Sequence, residues 1–348
     1  MNKEILFTPL TLKNLALPGR MVRSSTEFFC SDSNAHIHPC EVQVYEMLGK
    51  QPLGMILTAH TCVSPDGRSN PWQNAIWDDS YIPDAQSIAQ AAQALGVPVV
   101  MQIGHGGMKA EGNNGGLPVY TPDNMTLQDI RRIVEDFGDA ALRTKKAGMS
   151  GAMIHGAHMY LLSQFFYPVY NHRTDRYGGS ALNRFRMIYE VLENIKKKCG
   201  ESYPVFLKMN VTDEECTEAY YTDFVEAIHS VQDGFDAVEI SGWKSSPRGV
   251  SERPYFIDFI RRLHNDVSVP LIEVGGFRTA ESMVEAIQAG ASAVSISRPL
   301  MCEPDFPTKI KEHDGVRSKC KGCGFCGNPL DLDTLIRCPI AGKLEYKE

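Results

Sequence analysis

The sequence has 348 residues, 43% of them hydrophobic and 22% charged, a composition sufficient for one large globular domain or two ordinary ones. A formal net charge of −7 and a pI near 5.8 argue against nucleic acid or an anionic membrane as the partner. No apolar run approaches the length of a bilayer span, and the N-terminal segment lacks the basic and apolar regions of a signal peptide. We therefore expect a cytoplasmic protein.

Short apolar runs rich in Val, Ile and Met recur along the chain, with helix-length segments between them. Such continuous apolarity predicts strands that are buried on both faces of a parallel sheet. The eight predicted strands are 21–22, 54–58, 98–103, 151–155, 205–209, 236–240, 270–274 and 293–297.

The segments between the strands carry apolar residues at the three- and four-residue spacing of amphipathic helices. The predicted helices are 84–95, 126–147 followed by Gly148, 182–198, and a helix that Thr279 caps and that ends at Gly290. Eight strand–helix units in roughly 300 residues predict a (β/α)8 barrel of the α/β class. A doubly wound open sheet is the alternative, because periodicity alone does not separate the two.

The ends of the last two predicted strands form one candidate site. Gly275 and Gly276 follow the seventh strand and open a helix, and Ser297 and Arg298 end the eighth. Backbone N–H groups at a helix N-terminus, together with a hydroxyl and a guanidinium, can bind a phosphate. We therefore predict phosphate binding here, with a tight turn beside a surface arginine as the alternative.

The densest polar group, His155, His158 and Tyr160, follows the fourth predicted strand. Two imidazoles can donate N–H groups to a carbonyl oxygen, and a phenol can transfer a proton. The alternatives are a metal site, for which no carboxylate or cysteine lies nearby in sequence, and ordinary hydrogen-bonded loop residues. In the charged stretch that follows, we favour a structural ion pair for Asp175 and leave a substrate contact open for Arg176.

The segment from His155 to Arg186, HGAHMYLLSQFFYPVYNHRTDRYGGSALNRFR, resembles the signature of the Old Yellow Enzyme family of FMN-dependent ene-reductases. The segments FTPLTLKNLALPGRMV, VMQIGHGG and EVGGFRT are similar to the same family. The resemblance covers residues 5 to about 305 and implies a TIM barrel that binds FMN and uses NAD(P)H as co-substrate.

The resemblance also implies a role for each matching residue. His155 and His158 would bind the activating oxygen of the substrate, and Tyr160 would donate the proton. The implied FMN contacts are Ser24, Ser25 and Thr26 along the ring, His60 beside it, Gln102 at its pyrimidine edge, Lys208 near N1 and O2, and Gly275, Gly276, Ser297 and Arg298 at the phosphate.

Arg23, Ser24 and Ser25 depart from the family pattern, since they replace a commoner pattern of a small residue plus proline. Two further positions also depart from it. Glu27 stands where relatives often have Thr, Cys or His near the flavin edge, and an acid that faces the ring there would disfavour the reduced flavin. His60 replaces a small residue that is often found beneath the ring. Both departures concern the redox properties of the flavin and the shape of the substrate pocket.

The implied activity is reduction of an electron-poor C=C bond, in which hydride passes from NAD(P)H to FMN and then to the alkene. Candidate substrates are enones, enoates or enoyl thioesters, steroids or bile acids, and linear tetrapyrroles such as bilirubin, which some short members of the family reduce. We leave a homo-oligomer open. One alternative is another FMN barrel of the dihydroorotate dehydrogenase type, but the pattern of His155, His158 and Tyr160 argues against it. The other alternative is a flavin or iron–sulfur protein that transfers electrons or senses redox state.

Residues 306–348 lack strand–helix alternation, and we treat them as a Cys-rich tail that follows a barrel at 1–305. The tail contains Cys320, Cys323, Cys326 and Cys338. This spacing suits a [4Fe–4S] cluster and resembles the branch that includes 2,4-dienoyl-CoA reductase, where one more residue usually separates the second and third cysteines. Zinc and free thiols are the alternatives. We expect the six other cysteines to pack as small apolar side chains.

Overall fold

Eight parallel strands close into a barrel in the computed structural model, which describes residues 2–93, 96–212, 215, 217–243, 249, 251, 253–331, 333 and 336–343. The strands are β1 (Met21–Arg23), β2 (Met55–Leu57), β3 (Val99–Gly104), β4 (Gly151–Gly156), β5 (Val205–Asn210), β6 (Ala237–Ser241), β7 (Leu271–Val274) and β8 (Ala293–Ile296). Each agrees with a predicted strand to within one residue at either end.

Pairing on both sides of β1 closes the barrel. Val294 of β8 lies opposite Met21, and Val22 lies opposite Met55 of β2. Every barrel strand therefore has two parallel neighbours, whereas an open sheet would leave two edges unpaired. This closure confirms the (β/α)8 barrel and excludes the doubly wound sheet.

The helices follow the strands and mostly cover the outside of the barrel. They are α1 (Pro39–Gly49), α2 (Ile82–Gln93), α3 (Leu127–Lys146), α4 (Leu161–Phe166), α5 (Ala181–Cys199), α6 (Glu218–His229), α7 (Ile257–Asp266), α8 (Ala280–Gln288), α9 (Arg298–Cys302) and α10 (Phe306–Glu312). The predicted helix 84–95 corresponds to α2, and its last two positions lie outside the described residues. No helix of the described chain is long and apolar enough to cross a membrane.

Local capping explains where α3 and α8 begin. The Thr126 hydroxyl accepts from the Asp129 N–H, and the Asp129 carboxylate accepts from the Thr126 N–H. Thr279 forms the equivalent pair of contacts with Ser282 at the start of α8. After α3, Gly148 adopts a φ of +82°, a left-handed conformation that glycine accepts without steric cost.

The N-terminal end of the barrel is filled with apolar side chains. A two-stranded hairpin, Leu10–Thr11 with Ala16–Leu17, lies below the barrel, and its Leu12 and Leu17 pack against Phe206 and Met153 of the barrel interior. A larger apolar core separates the strands from the helices. The interior is therefore sealed at one end, and its polar side chains lie at the other, where the strands end.

The tail packs against loops that follow the barrel strands. The Ser318 N–H donates to the carbonyl oxygen of Arg278 at 2.8 Å, and the Gly249 N–H donates to that of Gly322 at 2.9 Å. The tail also contains the short strands Ile336–Cys338 and Gly342–Lys343. Outside the tail, a short strand at Thr61–Cys62 pairs with the end of β3. Nothing in the sequence pattern indicated that the tail would return to the C-terminal ends of the barrel strands.

The cysteines outside the tail are packed as expected where the structure describes them. The buried ones are Cys30, Cys40, Cys62, Cys199 and Cys302. The sixth, Cys216, lies outside the described residues.

Candidate active site

A cavity of about 580 Å³ lies at the C-terminal ends of the strands, and all eight strands or the loops directly after them contribute to its wall. The predicted site residues that line it are Ser24, Ser25, Thr26, His60, Gln102, His155, His158, Tyr160, Lys208, Gly275, Gly276, Ser297 and Arg298. Residues that are up to 274 positions apart in sequence, such as Ser24 and Arg298, thus share one concave site.

Asp175 and Arg176 do not line this cavity. The Asp175 carboxylate accepts from Arg173 Nε at 3.0 Å and from the Tyr177 N–H at 3.0 Å. Arg176 donates to the Tyr177 hydroxyl at 2.7 Å and lies 3.3 Å from the Glu190 carboxylate. The structure therefore places both residues in the network that holds the loop between α4 and α5, rather than with the other candidates.

An aromatic cluster forms one end of the cavity. The Tyr160 ring centroid lies 4.4 Å from that of His60 and 4.8 Å from that of His155. The His155 and His158 rings meet edge to face at 5.2 Å. A Cβ at Gly104 would collide with the His60 ring, so glycine at the end of β3 makes room for this cluster.

The backbone beside the cluster is strained. His158 and Met159 adopt φ values of +57° and +62°, a left-handed conformation that costs about 1–3 kcal/mol for a residue with a side chain. Their N–H groups donate to Asn210 Oδ1 at 3.2 Å and to Ser163 Oγ at 3.3 Å, respectively. These contacts hold the two residues in place, and the resulting turn directs His158 into the cavity wall.

The three histidines of the cluster are neutral near pH 7. Burial lowers the pKa of His60 to about 3, with smaller contributions from nearby cations that include Lys109 and Lys208. Burial likewise lowers the pKa of His155 and of His158 well below the ordinary value of 6.5. A neutral imidazole keeps one N–H group, so each ring can still donate a hydrogen bond.

Hydrogen bonds orient these rings. His155 Nδ1 accepts from the Ala157 N–H at 3.3 Å, so the proton of the neutral ring lies on Nε2. His158 Nε2 hydrogen-bonds with Ser241 Oγ at 2.7 Å. The phenol of Tyr160 stays protonated, because burial and the nearby Glu27 raise its pKa to about 12.

Lys208 is held by an acid that the sequence analysis did not select. Lys208 Nζ lies 3.5 Å from Glu239 Oε2, and the other carboxylate oxygen accepts from Ser24 Oγ at 3.0 Å. Glu239 is fully buried on β6. A signal was present in the sequence, since Glu239 lies inside the apolar run 236–240 and a buried acid needs a cation or polar groups to face.

Several features of the wall fit a bound FMN. His60 Nε2 and Ser295 Oγ are buried without a hydrogen-bond partner in the described structure, which leaves polar atoms for a ligand to satisfy. Gly275 and Gly276 have φ values of +103° and +85° before α8. Arg298 Nη2 donates to the Tyr255 hydroxyl at 2.8 Å beside them, so the predicted phosphate contacts converge at one end of the cavity.

Glu27 also lines the cavity, as the departure from the family pattern suggested. Burial, reinforced by the charge of Glu41, raises the pKa of Glu27 well above its usual range. The raised pKa favours the uncharged form of the side chain. An uncharged acid would not impose the expected penalty on reduced flavin.

The four tail cysteines surround a second, much smaller cavity. Two of them, Cys320 and Cys326, also line the main cavity, so the two spaces are adjacent. Within the residues that the structure describes, no three His, Cys, Asp or Glu side chains are arranged to hold a metal ion. The four thiols thus converge, but their side chains as placed do not form a ligand set.

Residues 5–315 match the NADH:flavin oxidoreductase / NADH oxidase family. An NADPH dehydrogenase of Clostridium acetobutylicum is 30% identical over 316 residues, which cover 86% of this chain and 93% of that protein. A probable NADH-dependent flavin oxidoreductase of Bacillus subtilis is 30% identical over 331 residues, 88% of each protein. These matches define the protein as an NAD(P)H-dependent flavin oxidoreductase. The chain belongs to the NADH:flavin oxidoreductase / NADH oxidase family.

Solved structures support the fold. An Old Yellow Enzyme homologue from Zymomonas mobilis superimposes with a TM-score of 0.77 at 21% identity and covers 97% of this chain and 98% of its own. Morphinone reductase gives a TM-score of 0.76 at 22% identity, with 90% of each chain covered. A 2-naphthoyl-CoA reductase superimposes with a TM-score of 0.83 at 21% identity. The match covers 93% of this chain and 55% of that longer protein.

Proposed function

We propose that the protein is an FMN-dependent ene-reductase that reduces an electron-poor C=C bond with NAD(P)H, and that Tyr160 donates the proton. The observation that supports this proposal most directly is the convergence of His155, His158 and Tyr160 on the cavity that the candidate FMN residues line. When bound, FMN carries hydride between the nicotinamide and the alkene.

The flavin contacts in this proposal come from the cavity wall. Gln102 and Lys208 would hold the pyrimidine end of the flavin, where the Lys208 ammonium would favour negative charge. Gly275, Gly276, Ser297 and Arg298 would hold the phosphate, and Ser24, Ser25, Thr26 and His60 would contact the ring; all of them line the cavity. The Glu239 carboxylate, 3.5 Å from Lys208, fixes the position of that cation.

The substrate oxygen is bound by neutral donors. His155 and His158 donate N–H groups to a carbonyl oxygen and stabilise the negative charge that develops on it during hydride addition. Both rings are neutral near pH 7, and each keeps one N–H group that can donate to the oxygen. Their fixed orientation in the wall avoids the cost of reorganising them during the reaction.

Tyr160 completes the reaction by protonating the α-carbon. Its pKa of about 12 keeps the phenol protonated, and its contacts with His60 and His155 support a position beside an oxygen that His155 would bind. The Lys109 ammonium, 4.9 Å from the ring centroid, stabilises the phenolate that remains. The candidate substrates are enones, enoates, thioesters, steroids or bile acids, and linear tetrapyrroles such as bilirubin. A cytoplasmic location and a homo-oligomer remain predictions.

The test is Tyr160→Phe, measured in anaerobic stopped-flow experiments that separate the two half-reactions. We expect flavin reduction by NAD(P)H within about twofold of the parent. Reoxidation by an enone should slow by about 10²–10⁴, the usual contribution of a general acid. Tyr189→Phe, on the exposed face of α5, is the matched control. Equal slowing of both half-reactions, or no slowing of the second, would contradict the assignment.

The tail cysteines support a second, separate proposal, an iron–sulfur cluster or a zinc ion bound by Cys320, Cys323, Cys326 and Cys338. In its favour, all four line one small cavity next to the main one. Since the side chains as placed form no ligand set, binding would require them to rearrange. The alternative function as an electron-transfer or redox-sensing protein depends on this site.

A further inference from the structure

Lys109 lies at the substrate end of the cavity, although no sequence pattern selected it. It belongs to the helical turn Gly107–Ala110 after β3. Its Nζ donates to the carbonyl oxygen of His158 at 2.7 Å and lies 4.9 Å from the Tyr160 ring centroid. The ammonium is therefore next to the residues proposed to bind and protonate the alkene.

The other cations of the cavity wall have partners that account for them. Lys208 faces Glu239, Arg298 donates to the Tyr255 hydroxyl, and Arg278 donates to the Ser318 carbonyl at 2.8 Å. The first two also belong to the proposed flavin contacts. Lys109 is not among the proposed flavin contacts, and its ammonium donates to the His158 carbonyl oxygen alone among the described groups.

No acid balances the charge of Lys109 among the described residues. Burial lowers its pKa, and no carboxylate contributes to the shift. Glu27 is the acidic residue among the described residues of the cavity wall, and burial raises its pKa well above the usual range, which favours its uncharged form. An ammonium has three donors, and the His158 carbonyl uses one of them. Lys109 thus presents positive charge and hydrogen-bond donors to the substrate space.

The turn that carries Lys109 is held rigidly. His105 Nε2 lies 3.1 Å from Asp66 Oδ1, and His105 Nδ1 accepts from the Gly107 N–H at 3.0 Å. The Met108 N–H donates to Gln164 Oε1 at 3.2 Å. A charge fixed in this way can select a ligand, because little ordering of the protein is needed when the ligand binds.

We propose that Lys109 binds an anionic oxygen of the alkene substrate, most simply a carboxylate attached a few bonds from the C=C bond. This inference rests on the proposed function, because it places the alkene between His158 and Tyr160. The acceptor would then be an unsaturated acid rather than a neutral enone. The cation that the sequence analysis left open, Arg176, is engaged with Glu190 and Tyr177 outside the cavity.

A phosphate of NAD(P)H is the other source of an anionic oxygen. The position of Lys109 favours the alkene, since the ammonium lies directly against the Tyr160 ring. In NAD(P)H a ribose separates the nicotinamide, which would occupy this position, from the nearest phosphate. The two sources act in different half-reactions, so kinetics can separate them.

The test compares two acceptors that differ only in charge, 4-oxo-2-pentenoate and its methyl ester, in the FMN-loaded enzyme. The variants are Lys109→Met, which removes the charge, and Lys109→Arg, which keeps it. Lys197→Met, on the exposed face of α5, is the control. We expect Lys109→Met to lower the acid-to-ester ratio of kcat/KM at least tenfold, mainly through KM, and Lys109→Arg to restore most of that ratio.

A binding measurement checks the same point without turnover. The saturated acid 4-oxopentanoate should bind the oxidised enzyme at least tenfold more weakly after Lys109→Met, while its methyl ester should show a smaller change. An unchanged acid-to-ester ratio overturns the anion site. So does an effect confined to the affinity for NADH or NADPH, which would assign the charge to the co-substrate. If the parent enzyme reduces neither acceptor after its flavin is reduced, the proposed function fails together with the inference.

Discussion

Asp66 is the buried charge on which the loop after β3 depends. Its carboxylate contacts His105 Nε2 at 3.1 Å, Arg132 Nη2 at 2.6 Å and the Ser64 hydroxyl at 2.6 Å. Burial alone would raise its pKa, but the hydrogen bond and charge of His105, together with Ser64 and Arg132, outweigh burial and lower the pKa from 3.8 to about 2. Asp66→Asn removes this charge and should destabilise the fold.

The size of the effect follows from the pKa difference between the folded and unfolded chains. A fall from 3.8 to about 2 corresponds to about 2 kcal/mol, at about 1.4 kcal/mol for each pKa unit. Because the folded pKa is the lower one, this stability is fully present above about pH 5 and is lost as the pH falls towards 2. Roughly half of it should remain near pH 3.

Urea unfolding followed by circular dichroism at pH 7 and pH 3 measures this effect. We expect Asp66→Asn to lower the free energy of unfolding by about 2 kcal/mol at pH 7 and by about half as much at pH 3. Asp139→Asn is the control, because Asp139 pairs with Lys198 on the surface, where such a pair contributes at most about 1 kcal/mol. A variant as stable as the parent at pH 7, or an equal loss at both pH values, would refute the reasoning.

Two further predictions concern the histidines and the tail. Alkene-dependent reoxidation of the flavin should show no inflection between about pH 6 and 7, because burial keeps His155 and His158 neutral; an inflection that His158→Asn abolishes would contradict this. If the tail cysteines bind a metal as proposed, anaerobically purified protein should contain about four iron and four sulfide, or one zinc, per chain. Cys323→Ser should reduce that metal content. Protein that contains neither iron nor zinc would contradict the metal site and show that the four cysteines are free thiols.

The barrel was predictable because its determinants are local and repetitive. Each strand is an apolar run, and Thr279 caps α8 as predicted. Thr126, predicted as the first residue of α3, proves to be its cap. Positions just after the strands, such as His155 and Gly275, were identified as site candidates by the rule that strand ends carry the chemistry. These residues do line one cavity.

Other parts of the site could not be read from the sequence, because they depend on which groups meet in space. No sequence pattern selected Lys109, yet its ammonium donates to the His158 carbonyl oxygen and lies 4.9 Å from the Tyr160 ring centroid. Arg176 follows the site motif closely in sequence, but its side chain faces Glu190 instead. Glu239 became significant once its distance to Lys208 was known.

The sequence by itself determined where the eight strands and four of the helices lie along the chain and which residues are available for chemistry, because hydrophobic period and capping act over a few neighbouring residues. Only the tertiary structure decided the closure of the barrel, the charge balance of the cavity and the return of the tail to its wall. Those outcomes arise from contacts between distant segments, such as Gly249 with Gly322 and Ser24 with Glu239. Burial in turn set the protonation of Glu27 and the histidines, since a desolvated group keeps its charge only where a partner compensates for the loss of water.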